Sequence, residues 1–133
     1  MFSPATWVLI IDDMAEVRGL VVQKFKELGF WNLLEASDGA QAWEILERGP
    51  HPIRLIVSDW RMPNLTGLDL IRKVKGDSRF KDLPILMITM ENESKKVLEA
   101  LVSGADSYII KPFSTEKLRS KLETIYQRVT QKK

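Results

Sequence analysis

The sequence predicts an α/β fold, a doubly wound sheet of five parallel strands in the order 2-1-3-4-5 with five helices on its faces. Two observations lead to this prediction. Five short runs rich in Val, Ile and Leu alternate with longer segments of helical period, which is typical of repeated βα units. Several runs are apolar at consecutive positions, as expected of strands buried on both faces of a parallel sheet.

The five predicted strands are the apolar runs themselves, residues 7–11, 33–36, 55–58, 85–89 and 108–110. Pro84 opens the fourth run, because proline punctuates the start of an element. Asp38-Gly39 and Gly49-Pro50 delimit the second helix in the same way.

The first and last helices show the clearest periodicity. Gly29 supplies the C-terminal stop of the first helix, and Ser114 occupies the N-cap position of the last. Each helix is predicted to bury one apolar face, formed in the first by Val17, Leu20, Val21, Phe25 and Leu28, and in the last by Leu118, Leu122, Ile125, Tyr126 and Val129.

Composition restricts the class of protein. The 133 residues predict one domain spanning residues 1–133, and 44% hydrophobic with 29% charged residues is ordinary for a globular chain. Cysteine is absent, which excludes disulfides and thiolate metal sites. A net charge of +2 does not favour nucleic acid, and no apolar run is long enough to favour a membrane. We therefore expect a cytoplasmic protein. We also expect it to be a monomer.

Polar residues stand where the predicted strands end. Asp12-Asp13 follow the first strand, Asp59 the third, and Lys111-Pro112 the fifth, while Thr89 closes the fourth. Ligands of such sheets bind at the carboxyl ends of the strands, near the switch in strand order. These side chains are therefore expected to converge on one edge.

Three carboxylates at one site repel one another unless a cation holds them together. Oxygen ligands at a wet site select a hard cation such as Mg²⁺. One carboxylate can then attack phosphorus, with Lys111 neutralising the phosphoryl oxygens and Thr89 donating a hydrogen bond. The product would be an aspartyl phosphate.

Four stretches resemble the response-regulator receiver family, whose fold is flavodoxin-like. They read IIDD at 10–13, SDWRMPNLTGL at 58–68, IT at 88–89 and YIIKPF at 108–113. They stand in the order and spacing of that family, and the resemblance covers essentially the whole chain. The run after residue 58 and Tyr108 are most similar to the stand-alone chemotaxis regulators.

This resemblance implies a role for each matching residue. Asp59 is the phosphoryl acceptor and a metal ligand. Asp13 binds Mg²⁺ directly, Asp12 acts through water, and the backbone carbonyl of Arg61 completes the set, with Mn²⁺ able to replace Mg²⁺. These are the roles implied for the metal site.

The remaining matches concern switching. Lys111 pairs with the phosphate, and its bond to Pro112 is expected to be cis. Thr89 and Tyr108 form a coupled switch, in which the hydroxyl moves toward the phosphate and the ring turns inward.

The resemblance also implies partners. A histidine kinase is expected to supply the phosphoryl group, and a phosphatase is a further expected partner. An output protein, with the flagellar motor switch as the named candidate, is expected to bind the fourth helix, fifth strand and fifth helix around Lys95, Lys96, Tyr108 and Lys117. The protein is thus expected to be a signalling phosphoacceptor rather than an enzyme.

Other interpretations place the same residues in different proteins. A Mg²⁺-dependent phosphatase forming an aspartyl phosphate usually has an acid two residues after the nucleophile, where this chain has Arg61. An FMN protein of this fold would need a Ser/Thr/Gly-rich loop after the first strand. The chain could also be the receiver part of a longer regulator or a phosphorelay intermediate.

The chain departs from close chemotaxis relatives beside the acceptor. Those relatives typically carry a short amide where this chain has Arg61, and a small residue where it has Met90. Met90, and an Arg61 side chain reaching toward Glu91, are predicted to obstruct the water that hydrolyses the acyl phosphate. Trp7, Trp31 and Trp43 are interpreted as packing or half-exposed residues, and His51 as a surface residue.

Overall fold

The structure, a computed structural model, describes residues 1–60, 65–89 and 94–131, without the side chains of Ser94, Lys96 and Gln131. Within these ranges the chain alternates strand and helix from end to end. The strands are β1 (Val8–Ile11), β2 (Leu33–Ala36), β3 (Leu55–Asp59), β4 (Ile85–Thr89) and β5 (Ser107–Ile110). The helices are α1 (Ala15–Glu27), α2 (Gly39–Arg48), α3 (Gly67–Lys75), α4 (Ser94–Ser103) and α5 (Thr115–Gln131).

The five strands form one parallel sheet in the order β2-β1-β3-β4-β5, so the predicted fold class is confirmed. Each predicted strand bound lies within one residue of the observed one. The strand order reverses between β1 and β3, which are hydrogen-bonded neighbours with Ile11 opposite Ser58. The ends of these two central strands therefore meet at one edge.

Side chains on the two faces of the sheet belong to separate cores. Alternate residues of each strand point to opposite faces, so Leu9 and Ile56 belong to one core while Val8 and Leu55 belong to the other. The first core packs against α2, α3 and α4, and the second against α1 and α5. No helix of the described residues is long and apolar enough to cross a bilayer.

The predicted face of α1 is wrong at one position. Leu20 is 63% exposed, whereas Val22 is buried together with Val21 and Phe25. Residues two apart on a helix point about 200° away from each other. The buried face of the helix therefore runs through Val21 and Val22 and excludes Leu20. Leu20 instead borders an open apolar cleft beside Pro112 and Phe113.

Polar side chains hold the beginnings of the helices. The Asp38 carboxylate accepts a hydrogen bond from the Gln41 backbone N–H at 2.7 Å, and the Ser114 hydroxyl accepts one from the Lys117 N–H at 3.0 Å. Gly29 ends α1 with a φ of 98°, a conformation that glycine adopts without steric cost. The predicted stops and caps at these positions are confirmed.

The amino ends of β4 and β5 are joined through one buried carboxylate, Asp106, which is 5% exposed. Its Oδ2 accepts a hydrogen bond from the Ile85 N–H at 2.8 Å and lies 4.0 Å from the Lys75 ammonium. The backbone carbonyl of Asp106 accepts a bond from the Arg128 guanidinium of α5. This edge of the sheet is therefore closed by satisfied polar contacts.

Candidate functional site

Three carboxylates meet at the carboxyl edge of the sheet. Asp12 directly follows β1, Asp13 comes next, and Asp59 is the last residue of β3. One oxygen from each lies within 4.8 Å of the others. The meeting follows from the sheet order, because β1 and β3 run side by side and end at the same level.

Every polar atom of Asp12 but one has a hydrogen-bond partner. Its N–H donates to the Ala36 carbonyl at 3.1 Å, and its carbonyl accepts from the Arg18 guanidinium at 2.8 Å. Its Oδ1 accepts from the Met14 N–H at 3.0 Å. Oδ2 is buried, accepts no hydrogen bond within the described residues, and lies 3.8 Å from the Lys111 ammonium. This oxygen is therefore available to a ligand bound at the site.

Asp59 is oriented by two donors on one of its oxygens. The Trp60 N–H donates to Oδ1 at 2.9 Å, and the Lys111 ammonium donates to the same oxygen at 3.3 Å. Lys111 follows β5 and is fixed by its own N–H, which donates to the Thr89 carbonyl at 2.9 Å. The Lys111-Pro112 peptide bond is cis, as predicted.

Burial raises the pKa of Asp59 from 3.8 to about 6, an effect that the Lys111 ammonium partly offsets and the Asp12 carboxylate reinforces. Burial also raises the pKa of Asp12, again opposed in part by hydrogen bonding and by Lys111. Desolvation disfavours the charged form of an acid. One ammonium therefore does not compensate the carboxylates of this site.

The residues fit a hard divalent cation. The three side chains offer only oxygen ligands, one of them the buried Asp12 Oδ2 that accepts no hydrogen bond within the described residues. Asp13 is exposed and keeps the site open to water. Oxygen ligands with retained water are what Mg²⁺ prefers.

Gly67, at the start of α3, lies directly against the acceptor strand. Its N–H donates to the Trp60 carbonyl at 3.0 Å. A Cβ at this position would lie 2.5 Å from the Asp59 carbonyl oxygen and 2.7 Å from the Met87 methyl carbon. Gly67 is therefore a close-packing position, at which any larger residue would meet the acceptor strand.

The two residues predicted to form the switch lie on neighbouring strands. Thr89 is 3% exposed at the end of β4, and Tyr108 on β5 is half-buried with the Lys121 ammonium 4.7 Å from its ring centre. A groove of about 510 Å³ beside Tyr108 is lined in part by Lys111, Lys117 and Lys121. Thr89 therefore ends the strand that pairs with the acceptor strand β3, and Tyr108 borders the outer groove.

Some predicted site residues lie outside the described part of the chain. They are Arg61, expected to offer its carbonyl, and Met90 and Glu91, expected to obstruct access. Lys96 lies in α4, and its side chain is also outside the description. Their predicted roles stay predictions.

The aromatic residues that the sequence analysis interprets as packing or surface residues lie away from the site. Trp7 and Trp43 are half-buried against the core, and Trp31 is 66% exposed. His51 is exposed, as predicted, but its ring stacks on Trp7 with 3.8 Å between ring centres. The sequence did not indicate that stacking contact.

Sequence reasoning also missed Arg18, which binds the Asp12 carbonyl and lies 2.8 Å from the Glu35 carboxylate. A signal was available, because an arginine in the first turn of the helix that follows an Asp-Asp pair can reach back over the pair. Arg18 thereby ties α1 and β2 to the turn that carries two of the carboxylates.

Comparison with known proteins agrees with this geometry. The family model for the response regulator receiver domain matches residues 8–123. Chemotaxis protein CheY1 of Helicobacter pylori is 41% identical over 118 residues, covering 89% of this chain and 94% of that protein. Chemotaxis protein CheY of Pseudomonas aeruginosa is 40% identical over 122 residues, covering 92% and 97%. The solved structure of chemotaxis response regulator CheY4 of Vibrio cholerae has a TM-score of 0.81 at 30% identity, covering 91% of this chain and 98% of that one.

The chain belongs to the response-regulator receiver family. More narrowly, it is a CheY-like receiver domain, and the relatives tie it to two-component signalling and chemotaxis. Proteins of this family are signalling proteins rather than classical enzymes, and CheY-like receiver domains interact with histidine kinases and output proteins. Metal binding is typical of the family.

Proposed function

We propose that this protein is a Mg²⁺-dependent phosphorylation switch that accepts a phosphoryl group from a histidine kinase on Asp59. The observation that carries the proposal is the meeting of Asp12, Asp13 and Asp59 with the Lys111 ammonium at one edge of the sheet. A carboxylate cluster with a facing ammonium suits transfer of a phosphoryl group better than it suits a purely structural role.

The metal would be held by Asp13 and Asp59 directly, by Asp12 through water, and by the carbonyl of Arg61. When bound, Mg²⁺ or Mn²⁺ neutralises charge on the phosphoryl oxygens and on the carboxylates that hold it. Removing the metal leaves the carboxylates with Lys111 as the cation that contacts them within the described residues. Phosphorylation is therefore expected to depend on added divalent cation.

The chemical step belongs to Asp59. One of its carboxylate oxygens attacks phosphorus of the donor phosphohistidine, an O–P bond forms, the N–P bond breaks, and the imidazole leaves as the neutral ring after taking a proton. The Lys111 ammonium neutralises the equatorial oxygens, and the Thr89 hydroxyl donates a hydrogen bond to the bound phosphoryl group. The Trp60 N–H keeps the acceptor carboxylate oriented.

The output would be read on the surface formed by α4, β5 and α5. Apolar side chains stand exposed there, with Leu98 at 63% and Val102 at 80%, and exposed Lys95 and Lys117 supply positive charge. Tyr108 lies on β5, the strand that pairs with β4 and so with the strand that Thr89 ends. We propose that its ring and Thr89 couple this surface to the acceptor site, with a flagellar motor switch protein as the partner and the cytoplasm as the location.

The acceptor is tested with acetyl phosphate, Mg²⁺ and intact-protein mass spectrometry. Wild type should gain one phosphoryl group that hydroxylamine removes, and EDTA should prevent the gain. Asp59→Asn should abolish it, while Asp82→Asn, at an exposed carboxylate, should not. Lys111→Ala should still be phosphorylated but should fail to switch. Stoichiometric phosphorylation of Asp59→Asn would disprove the assignment.

The output surface is tested by capture of a motor switch protein with and without beryllofluoride, which mimics the phosphoryl group. Tyr108→Ala and charge reversal at Lys95 or Lys117 should weaken activated binding, and reversal at Lys26 on α1 should leave it unchanged. Equal binding by all of these variants would contradict the proposed surface.

A further inference from the structure

Arg18 bridges three elements around the acidic turn. It lies on α1, its Nη1 donates to the Asp12 carbonyl at 2.8 Å, and its Nε donates to the Glu35 carboxylate of β2 at 2.8 Å. The Arg18 side chain is 18% exposed and the Glu35 side chain 47%. The planar guanidinium fork therefore holds β2 and the end of β1 at a set separation.

The contacts of Asp12 show that the Arg18 bridge fixes the backbone of the Asp12-Asp13 turn. The backbone of Asp12 is held on one side by β2, through its N–H to Ala36, and on the other by Arg18. With Oδ1 held by Met14, the remaining oxygen, Oδ2, is aimed at Lys111 and the site. Releasing the carbonyl would allow the peptide after β1 to rotate, which would move Asp12 and the following Asp13.

We propose that Arg18, held by Glu35, is a positioning residue that sets the Asp12-Asp13 turn for binding of the divalent cation. The inference rests on the proposed function, because it concerns the same metal site. Arg18 acts through Asp12 and does not itself bind the metal. Groups that orient metal ligands commonly change metal affinity 10- to 100-fold when they are removed.

Charge repulsion alone predicts the opposite change in the Kd for Mg²⁺ when Arg18 is removed. A guanidinium beside a cation site repels the incoming Mg²⁺, so its removal should tighten binding if charge alone mattered. If Arg18 positions the ligands, its removal should weaken binding despite the relief of repulsion. The direction of the change in Kd therefore separates the two explanations.

The test measures the Kd for Mg²⁺ by calorimetry and by the emission of Trp60, with Trp60→Phe as the background for the other tryptophans. Arg18→Ala should raise the Kd about tenfold. Arg18→Lys keeps the charge but loses the fork, and should raise the Kd nearly as much. Glu35→Gln should raise it about threefold, because its amide oxygen still accepts from Arg18. Arg119→Ala, which removes an exposed ion pair with Glu116 on α5, should leave it unchanged.

Urea unfolding without Mg²⁺, followed for each variant, separates positioning from a loss of folding. An unchanged or lower Kd for Arg18→Ala, or a wild-type Kd for Arg18→Lys, would overturn the proposal. If Arg18→Ala does not fold, Glu35→Gln decides instead: a raised Kd for Mg²⁺ supports the proposal, and an unchanged or lower Kd overturns it. Asp13→Asn serves as the reference for the proposed function. If Asp13→Asn binds Mg²⁺ as wild type does, the metal site fails, whereas loss of binding there with a normal Arg18→Ala overturns only the role of Arg18.

Discussion

Buried carboxylates at the two edges of the sheet differ in how many hydrogen-bond partners the fold supplies to them. At the amino edge, Asp106 accepts a hydrogen bond from the Ile85 N–H, lies near Lys75, and is held through its carbonyl by Arg128. At the carboxyl edge, Asp12 keeps a buried oxygen that accepts no hydrogen bond within the described residues. Burial raises the pKa of Asp59 beside it to about 6.

The difference separates a structural acid from functional ones. A buried polar group normally finds its partners in the fold, because leaving it without them costs free energy. Asp106 follows this rule and stabilises the meeting of β4, β5 and α5. The carboxyl edge departs from it, and the free energy that this costs the metal-free protein is available to a ligand that supplies the missing contacts.

The largest effect on stability is expected at Asp106. Asp106→Ala leaves the buried Ile85 N–H and the Lys75 ammonium without their carboxylate, and should lower the free energy of unfolding by about 3 kcal/mol. Asp106→Asn keeps an acceptor oxygen and should lose less. Urea titration of both, with Asp82→Ala as an exposed control, measures the difference. Equal stability of Asp106→Ala and wild type would show that Asp106 does not stabilise the fold.

Asp59→Asn should do the opposite and stabilise the metal-free protein. The folded-state pKa of Asp59 is raised from 3.8 to about 6, so the folded state holds this proton more tightly than the unfolded state. Wild type therefore loses stability as the pH rises from about 4 to about 6, and at neutral pH the loss amounts to about 1–3 kcal/mol. Asparagine has no proton to lose, so the variant should be more stable by that amount.

Urea unfolding in EDTA at a series of pH values checks this. Wild type should show the fall in stability, and Asp59→Asn should retain only a smaller one from Asp12, whose pKa burial also raises. Adding Mg²⁺ should restore much of the stability of wild type at neutral pH and little of that of the variant. Parallel pH curves for the two proteins would show that Asp59 is not the destabilised group.

The smallest effect is expected at the approach to the acceptor. Arg61→Asn and Met90→Ala should each speed loss of the phosphoryl group a few-fold by opening the path of the attacking water. Phosphate release after removal of acetyl phosphate measures the rate, with Lys26→Ala on α1 as a control. If neither substitution shortens the lifetime, obstruction at these positions does not limit hydrolysis.

The sequence predicts the fold because its local signals agree with one another. Consecutive apolar residues at 8–11, 55–57 and 85–88 indicate buried parallel strands. Every strand bound falls within one residue of its prediction. The positions of Asp12, Asp13, Asp59 and Lys111 follow from the same argument, since parallel strands end at one edge. Their meeting could be expected from strand order alone.

Contacts that depend on the rotation of a helix could not be read in this way. In α1, apolar residues at 17, 20, 21, 22, 25 and 28 cover more than half of the circumference, so periodicity does not decide between Leu20 and Val22 as the buried flank. The reach of Arg18 to Asp12 and Glu35 depends on the same rotation. The joining of Asp106, Lys75 and Arg128 depends on residues far apart in the chain, for which spacing gives no signal.

The crowding at Gly67 has a practical consequence for protein engineering. One added carbon there would meet both the carbonyl of the acceptor residue and the Met87 side chain. Libraries that vary α3 to change partner choice should therefore keep position 67 constant and vary exposed positions such as Arg72 and Lys73. The acceptor strand then keeps its place while the surface of the helix is redesigned.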